Sequence, residues 1–215
     1  MQVKCFTNNP FQENTYLLYD TSTRQCVIID PGMCNEKEWQ EIDCFITNER
    51  LSPVRILLTH GHLDHVMGTG YLAEKYGLQP EGPVEDIERL PAPEMQCRMF
   101  GIGYHKKPAV VSNNIKEGDV IHVGETEIQV LDVPGHSYHG LCYYLPQEQM
   151  LFSGDVLFFC SVGRSDFGTE MGCNGETLID GIRCKLFALP PLTKVYPGHG
   201  PMTSIAQEIQ CNPYV

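Results

Sequence analysis

The chain has 215 residues, of which 42% are apolar and 20% charged, and its formal net charge is −12. A chain of this size buries roughly 70% of its unfolded surface on folding, so it can build a core without disulfides. The acidic balance would repel phosphate backbones and anionic lipids, so neither nucleic acid nor a membrane is expected as a partner.

The first third of the chain predicts a β-hairpin, an amphipathic helix, a buried strand and a second helix. These elements fall at residues 15–29, at 36–49, at 54–59 and in a segment that ends at Gly77. Asn35 is followed three positions later by Glu38, which resembles a capping box at the start of the first helix. Gly77 is a typical residue just beyond a helix end.

Strands dominate the second half of the predicted order. Residues 80–108 are rich in Pro and Gly, with a short helix predicted near 85–90, and a lid or an interface is expected there. Strands follow at 109–111, 119–123, 127–133, 141–145 and 150–154, then a helix after 175–177, a strand at KVYP and a helix at SIAQEIQ. No linker or repeat interrupts this order. We therefore predict one domain, residues 1–215, with layered α/β packing.

Ten cysteines are scattered along the chain without a C-x-x-C pair. Several lie in apolar runs such as QCVIID and GLCYYL, where a free thiol behaves as a small apolar residue. The chain does not open on a basic segment followed by an apolar stretch, and no run approaches the ~18 apolar residues of a membrane span. We therefore expect reduced cysteines in a cytoplasmic protein.

Three histidines and an aspartate crowd the stretch LLTHGHLDHVMG, directly after a buried strand. His60 and His62 are two residues apart, so extended backbone directs both to the same side. Asp64 and His65 lie at the entry to the next helix and are free to diverge. We expect one metal at His60 and His62 and a second at Asp64 and His65. Imidazole and carboxylate ligands without thiolate suit Zn²⁺, Mn²⁺ or Fe²⁺.

Three later stretches supply further ligand types at strand ends: His136 in VPGHSYHG, Asp155 in LFSGDVLF and His199 in YPGHGP. Glycine beside each of them permits close backbone approach and a sharp turn. Taken singly, such a histidine is more often an ordinary turn residue, and a helix start rich in His and Asp is more often a cap. Their joint occurrence, in order, favours a metal centre over those structural interpretations.

These motifs carry a family resemblance. THGHLDH at 59–65, with PGH, SGDVLF, GRSD and YPGHGP, resembles the metallo-β-lactamase-fold hydrolases, and most closely their short, single-domain, glyoxalase II-like branch. The resemblance implies an αββα four-layer sandwich with two divalent metal ions at the edge of the sheets, zinc being expected and iron or manganese the alternatives. It implies that one metal is held by His60, His62 and His136 and the other by Asp64, His65 and His199, with Asp155 bridging.

The resemblance also implies a reaction. A hydroxide held between two divalent ions would attack a thioester or ester carbonyl, because the cations make hydroxide available at neutral pH. Asp64 would orient this hydroxide or accept its proton. Arg164, in GRSD, is expected to bind a substrate carboxylate, with an ion pair to Asp166 as the alternative. His139 stands where the family has a small residue and is a candidate for substrate contact, against the alternative of a surface histidine.

Three functions stay open at this point. The first is hydrolysis of a small-molecule thioester such as a hydroxyacyl-glutathione. The second is a mononuclear iron oxygenase resembling the persulfide dioxygenases, which would use only His60, His136 and Asp155. The third is a non-catalytic metal-binding module, which would need no second metal. Sixteen residues follow His199, too few for the helical extension with which full-length glyoxalase II proteins bind glutathione, so glutathione recognition is left open, as is the oligomeric state.

Overall fold

Two six-stranded sheets form the centre of the molecule in a computed structural model, which describes residues 1–215. The first contains, in spatial order, β1 (Gln2–Asn8), β2 (Glu13–Tyr19), β3 (Gln25–Ile29), β4 (Ser52–Leu57), β5 (Pro80–Gly82) and β6 (Asn113–Asn114). The second contains β7 (Val120–Val123), β8 (Thr126–Asp132), β9 (Leu141–Leu145), β10 (Met150–Gly154), β13 (Lys194–Pro197) and β14 (Thr203–Ser204). A separate hairpin pairs β11 (Leu157–Phe158) with β12 (Ser161–Val162).

Helices connect the strands and cover the outer faces of the sheets. They are α1 (Glu36–Asn48), α2 (Leu63–Val66), α3 (Thr69–Tyr76), α4 (Val84–Arg89), α5 (Pro93–Phe100), α6 (Gly175–Gly181) and α7 (Ile205–Cys211). A 3-10 turn, Thr169–Met171, precedes α6, and a π-helical turn, Ile182–Leu186, continues it. None of these helices combines the length and the apolar character needed to span a bilayer.

Strand direction changes within each sheet. The strands β1 to β3 pair antiparallel, whereas β3 to β6 pair parallel. In the second sheet only β10 and β13 pair parallel. Parallel neighbours need a crossover connection, usually a helix, and such helices lie on a face of the sheet. The mixed pairing therefore explains why helices cover these sheets.

Apolar side chains fill three layers. Between the sheets, Tyr16 and Leu18 of β2 pack with Tyr143 of β9. On the outer face of the first sheet, Leu17 and its neighbours pack against α1 and α3, and on the outer face of the second sheet, Tyr144 and its neighbours pack against α6 and α7. Consecutive residues of one strand thus enter different layers, as the two-residue period of a strand requires. The predicted helix–sheet–sheet–helix arrangement is observed.

Several predicted elements differ from the structure. Residues 109–111 form no strand: Val110 is 79% exposed, and β6 at Asn113–Asn114 pairs with β5 instead. The helix expected before Gly77 is divided into α2 and α3, although Gly77 does end it with a φ of 67°. The strand β1 and the helix α5 were not predicted. A start signal for α5 exists in Pro93, because proline is favoured at the first position of a helix.

The start of α1 agrees with its predicted cap. The side chain of Asn35 accepts a hydrogen bond of 3.1 Å from the backbone N–H of Glu38. The Glu38 carboxylate turns back as in a capping box, but it accepts from the N–H of Cys34, at 2.8 Å, one residue earlier than the motif requires. A second hydrogen bond joins the same carboxylate to the N–H of Asn9, so this cap also anchors the β1–β2 turn.

Candidate metal centre

The predicted ligands come together where the two sheets meet at one edge. They follow strand ends: His60, His62, Asp64 and His65 follow β4, His136 follows β8, Asp155 follows β10, and His199 follows β13. Backbone hydrogen bonds join these loops across the sheets. The N–H of Leu141 donates to the carbonyl of Thr59 at 2.9 Å, and that of Asn14 donates to Gly198 at 2.7 Å. The fold therefore assembles all seven candidates from four separate loops.

Three imidazoles form the first group. The Nδ1 atom of His62 lies 2.9 Å from Nε2 of His60 and 2.9 Å from Nε2 of His136. All three rings are buried or half-buried. Three ring nitrogens that converge on one point form a ligand set that suits zinc and other first-row transition metals.

Two carboxylates and two imidazoles form the second group. The Nε2 atom of His199 lies 3.3 Å from Asp64 Oδ2 and 3.4 Å from Asp155 Oδ2, and Nε2 of His65 lies 3.3 Å from Asp155 Oδ1. The Oδ2 atom of Asp155 is also 3.5 Å from Nε2 of His136 in the first group. Asp155 therefore lies between the two groups.

Outer hydrogen bonds fix the orientation of three of the histidine rings. The Nδ1–H of His136 donates to the carbonyl of Arg164 at 2.7 Å, and that of His199 donates to the carbonyl of Phe11 at 3.1 Å. The Nδ1–H of His65 donates to Asp30 Oδ2 at 3.0 Å. Each bond requires the proton on Nδ1 and directs Nε2 towards the centre, which is the usual arrangement around metal-binding histidines.

Two rings of the first group, those of His60 and His62, are held neutral. Burial, and then the charge on the adjacent His65, keep the pKa of His60 well below its ordinary value. Burial, and then His136, lower the pKa of His62 to about 3. Neutral imidazole is the form that binds a metal, so these rings are ready to act as ligands at physiological pH.

The second group consists of opposite charges. Burial alone would raise the pKa of Asp155, but His65 and His199 hold it well below its usual range. Although burial opposes the change, Asp155 and then Asp64 raise the pKa of His199 to about 10. The two carboxylates therefore stay ionised in a buried place, where such groups require a cation.

Two buried polar atoms support the fit of a metal pair. His65 Nε2 and Asp155 Oδ1 face the centre 3.3 Å apart, and neither atom forms a hydrogen bond. A buried donor or acceptor without a partner is costly and needs an explanation, such as an ion. With three imidazoles in one group and imidazole plus carboxylate in the other, the donor set fits two divalent cations.

Gly198 provides the space that the second group needs. A Cβ atom at this position would lie 2.2 Å from Asp155 Oδ1 and 2.7 Å from His65 Cε1. No side chain fits at these distances. The glycine noted in YPGHGP therefore serves close approach of the backbone to the candidate ligands.

Two buried carboxylates support the ligand loops without belonging to them. Asp30 accepts hydrogen bonds from both the N–H and the hydroxyl of Thr59, each at 2.7 Å, in addition to the bond from His65. Asp86 of α4 accepts from the N–H of Gly61 at 2.8 Å, from the N–H of His139 at 3.1 Å and from the Ser137 hydroxyl. Asp86 thus connects the loop of the first histidines with the loop of His136. Sequence reasoning missed both residues: Asp30 lies one residue beyond the predicted hairpin, and Asp86 lies in the segment 80–108.

A cavity of about 330 Å³ opens over the ligand groups. The candidate ligands His62, Asp64, His136, Asp155 and His199 reach its surface. Its other walls are mostly apolar and include Phe11, Met99, Phe100, Phe158, Phe167 and Met171. Pockets of this size and character are typical small-molecule sites. The segment 80–108, for which a lid or an interface was expected, contributes two of these walls through the end of α5.

The two predicted substrate-binding residues have different positions. Arg164 lines the cavity, but its guanidinium forms two hydrogen bonds of 2.9 Å with Asp166 and lies 4.3 Å above the ring of Phe167. His139 does not line the cavity: its Nδ1–H donates to Asp132 at 2.6 Å. Its backbone N–H, and not its ring, connects it to the site through Asp86. Arg164 is thus retained as a candidate for substrate contact, and His139 is not.

Comparison with known proteins defines the class. Residues 8–201 match the family model of the metallo-beta-lactamase superfamily, and the chain belongs to this superfamily. The family predicted from the motifs, with its α/β fold, is confirmed. Among curated relatives, the probable metallo-hydrolase YqgX of Bacillus subtilis is 35% identical over 96% of this chain and 93% of its own length. The hydroxyacylglutathione hydrolase GloC of Haemophilus influenzae is 32% identical over 100% of this chain and 98% of its own length.

Solved structures agree over almost the whole chain. The BLEG-1 B3 metallo-beta-lactamase superposes with a TM-score of 0.86 at 32% identity, covering 99% of each chain. The protein TTHA1623, in a di-iron-bound form, has a TM-score of 0.84 at 34% identity, with 99% and 100% covered. ETHE1 from Myxococcus xanthus has a TM-score of 0.79 at 31% identity over 99% of this chain and 84% of its own. These relatives differ in name, so the particular reaction has to be argued from the site.

Proposed function

We propose that this protein is a binuclear metallohydrolase that cleaves small-molecule thioesters. The observation that carries the proposal is the position of Asp155 between two ligand groups, within 3.5 Å of His136 on one side and 3.4 Å of His199 on the other. A single metal would leave one of these groups without a function. The thioester class is supported by the similarity to GloC, which is named a hydroxyacylglutathione hydrolase.

The residues of each group have separate roles in this proposal. His60, His62 and His136 would hold one divalent ion and Asp64, His65 and His199 the other, with Asp155 bridging. We propose zinc for both, with iron or manganese as alternatives, and the di-iron form of TTHA1623 supports iron as a real competitor. When bound, such a pair supplies a nucleophilic water at neutral pH and polarises the substrate carbonyl.

Asp64 is the proposed proton acceptor. Its carboxylate lines the cavity and has its Oδ2 atom 3.3 Å from His199. Charged neighbours, above all His65, outweigh burial and lower its pKa, so it stays ionised and can orient an attacking water. Arg164 at the cavity wall would bind a carboxylate of the substrate, for which its present partner Asp166 would have to be exchanged.

Metal analysis combined with kinetics tests the proposal. The purified full chain should contain two divalent ions, and it should hydrolyse a thioester with release of a titratable thiol. Asp155→Asn should lose one metal equivalent and reduce kcat by at least about 100-fold, because the bridging charge is gone. Two retained metals with unchanged turnover in this variant would contradict the proposal.

A mononuclear iron oxygenase is the second candidate. His60 and Asp155 lie in one cluster with His65, and His136 is 3.5 Å from Asp155, so three ligands for a single iron are also present. One iron per chain, together with oxygen consumption on a persulfide, would establish this candidate and exclude the hydrolase. Two bound metals without turnover of either substrate class would instead indicate a non-catalytic binding module.

We also propose that residues 1–215 form one domain in a cytoplasmic protein. The two sheets share a single apolar layer, which supports one folding unit. All ten cysteines are free, and free thiols are typical of a reducing compartment.

A further inference from the structure

Aromatic rings border both halves of the candidate metal centre. The ring of Phe167 meets His62 edge-on with centroids 5.9 Å apart, and that of Phe158 meets His199 edge-on at 5.9 Å. Phe11 and Phe100 pack edge-to-face at 5.4 Å and belong to the same cavity. A substrate whose reacting bond lies at the metals must therefore place its neighbouring groups against aromatic rings.

Two of the apolar walls are exposed to solvent. Met99 is 57% and Phe100 43% exposed at the end of α5, although both line the cavity. Exposed apolar side chains grouped at a pocket often mark a binding site. Met and Phe adapt to, and pack against, apolar ligands. A ligand that covers these side chains removes from water the apolar area that the free protein leaves exposed, and this burial stabilises the complex.

The charge of the cavity limits the substrate further. Arg164 is the only lysine or arginine among the lining residues, and Asp166 already neutralises it. Both lining carboxylates, Asp64 and Asp155, face the metal centre. The walls therefore offer one partner for a substrate carboxylate, which is Arg164 once Asp166 is exchanged, and none for an ammonium group. A glutathione thioester carries two carboxylates and an ammonium group.

We infer that the preferred substrate is a thioester with an apolar acyl group, aromatic or branched aliphatic, and with at most one carboxylate. The inference rests on the thioester hydrolysis proposed above and narrows it. In the reaction water adds to the carbonyl carbon, the C–S bond breaks, and a carboxylic acid and a thiol are released. The acyl group would pack against Phe167 and Phe100, while the carbonyl lies at the metals.

Matched thioesters test this inference on the metal-loaded full chain. The acetyl and phenylacetyl thioesters of N-acetylcysteamine are uncharged and differ only in the acyl group, and S-lactoylglutathione provides the polar comparison. After correction for rates with hydroxide alone, kcat/KM for the phenylacetyl ester should exceed both others by about tenfold or more, the range that apolar pockets provide. Phe167→Ala and Phe100→Ala should each reduce the ratio of phenylacetyl to acetyl. Phe159→Ala is the matched control, because Phe159 is 46% exposed and lies outside the cavity.

A binding measurement gives a second readout that needs no turnover. The thioether in which CH₂ replaces the phenylacetyl carbonyl should bind the metal-free protein with a negative heat-capacity change, measured by calorimetry. Phe167→Ala should weaken this binding and Phe159→Ala should not. If S-lactoylglutathione is the better substrate, the apolar preference is overturned while the hydrolase stands. If no thioester is cleaved but the thioether binds as described, the hydrolase fails while the apolar site stands.

Discussion

Gly198 leaves no room for a side chain between two candidate ligands. A Cβ there would approach Asp155 Oδ1 to 2.2 Å and His65 Cε1 to 2.7 Å, so Gly198→Ala has to displace one of them. Overpacking of this kind typically costs about 1–3 kcal/mol. We expect the variant to lose metal and to unfold at lower temperature, as measured by metal analysis and thermal denaturation.

Gly103→Ala is the control for this variant, since a Cβ at Gly103 would meet no atom within 4 Å. It should keep both the metal content and the midpoint of unfolding. Full metal content in Gly198→Ala would show that the loop yields more easily than the structure indicates.

His139 is expected to make the stability of the protein dependent on pH. Burial alone would lower its pKa, but the hydrogen bond and charge of Asp132 raise it above the ordinary value. A group whose pKa is raised by folding stabilises the protein fully below its unfolded pKa, about 6.5, and loses this effect as pH rises through the folded value.

We therefore expect His139→Gln to lower the free energy of unfolding more at pH 5.5 than at pH 9. Denaturant titrations at the two pH values measure the difference. His122→Gln is the matched control, because His122 lies exposed on β7 and its side chain forms no hydrogen bond. An effect of His139→Gln that is equal at both pH values would refute the assigned pairing.

The short helix α4 holds two ligand loops together through one side chain. Asp86 is fully buried and accepts hydrogen bonds from Gly61 in the first loop and from Ser137 and His139 in the second. Asp86→Asn keeps the shape but replaces one accepting oxygen with a donor. We expect metal affinity to fall about 10- to 100-fold, the usual result of losing an outer partner of a metal site. Competition with a chelator measures this loss.

Glu88→Gln on the same helix is the control for Asp86→Asn, since Glu88 is exposed. It should leave the affinity unchanged. Unaltered metal affinity in Asp86→Asn would mean that the loops keep their relative position without this bridge.

Elements with strong local signals could be predicted from the sequence, and those that depend on distant partners could not. The hairpin β2–β3 has long apolar runs, and α1 has the Asn35 cap, so both were predicted close to their bounds. The strand β1 is mostly exposed and depends on pairing with β2. The run at 109–111 is apolar but has no strand to pair with, because β5 takes Asn113–Asn114 instead.

The candidate site shows the same division. The ligand types could be predicted because the motif at 60–65 is local and the later ligands follow strand ends. The aromatic cavity could not, because Phe11, Phe100 and Phe167 come from three distant segments that only the fold brings together. His139 is a candidate by sequence because it stands where the family has a small residue, and only the structure shows its ring turned to Asp132.

At the scale of the whole molecule, the metal centre joins two halves. The first sheet with its loops provides residues 60–65, and the second provides His136, Asp155 and His199. Metal ions that bind only the folded chain stabilise it by about 4 kcal/mol at a thousandfold excess over Kd. We expect removal of metal by a chelator to lower the unfolding temperature and re-addition of zinc to restore it, as followed by calorimetry.

Asp155→Asn is the control for this experiment, because its unfolding temperature should respond less to zinc than that of the unaltered chain. A chain that unfolds at the same temperature with and without saturating zinc would contradict the assignment of a metal centre.

The closeness of His60, His62, Asp64 and His65 along the chain has a consequence for the unfolded protein. Four ligand groups within six residues can chelate a cation before any sheet has formed. Such binding to the unfolded state reduces the net stabilisation that metal gives to the folded one. A peptide covering residues 57–68 should thus bind zinc weakly by itself. If zinc is present from the start of refolding, these four groups should bind it early, and the remaining ligands should complete its coordination last.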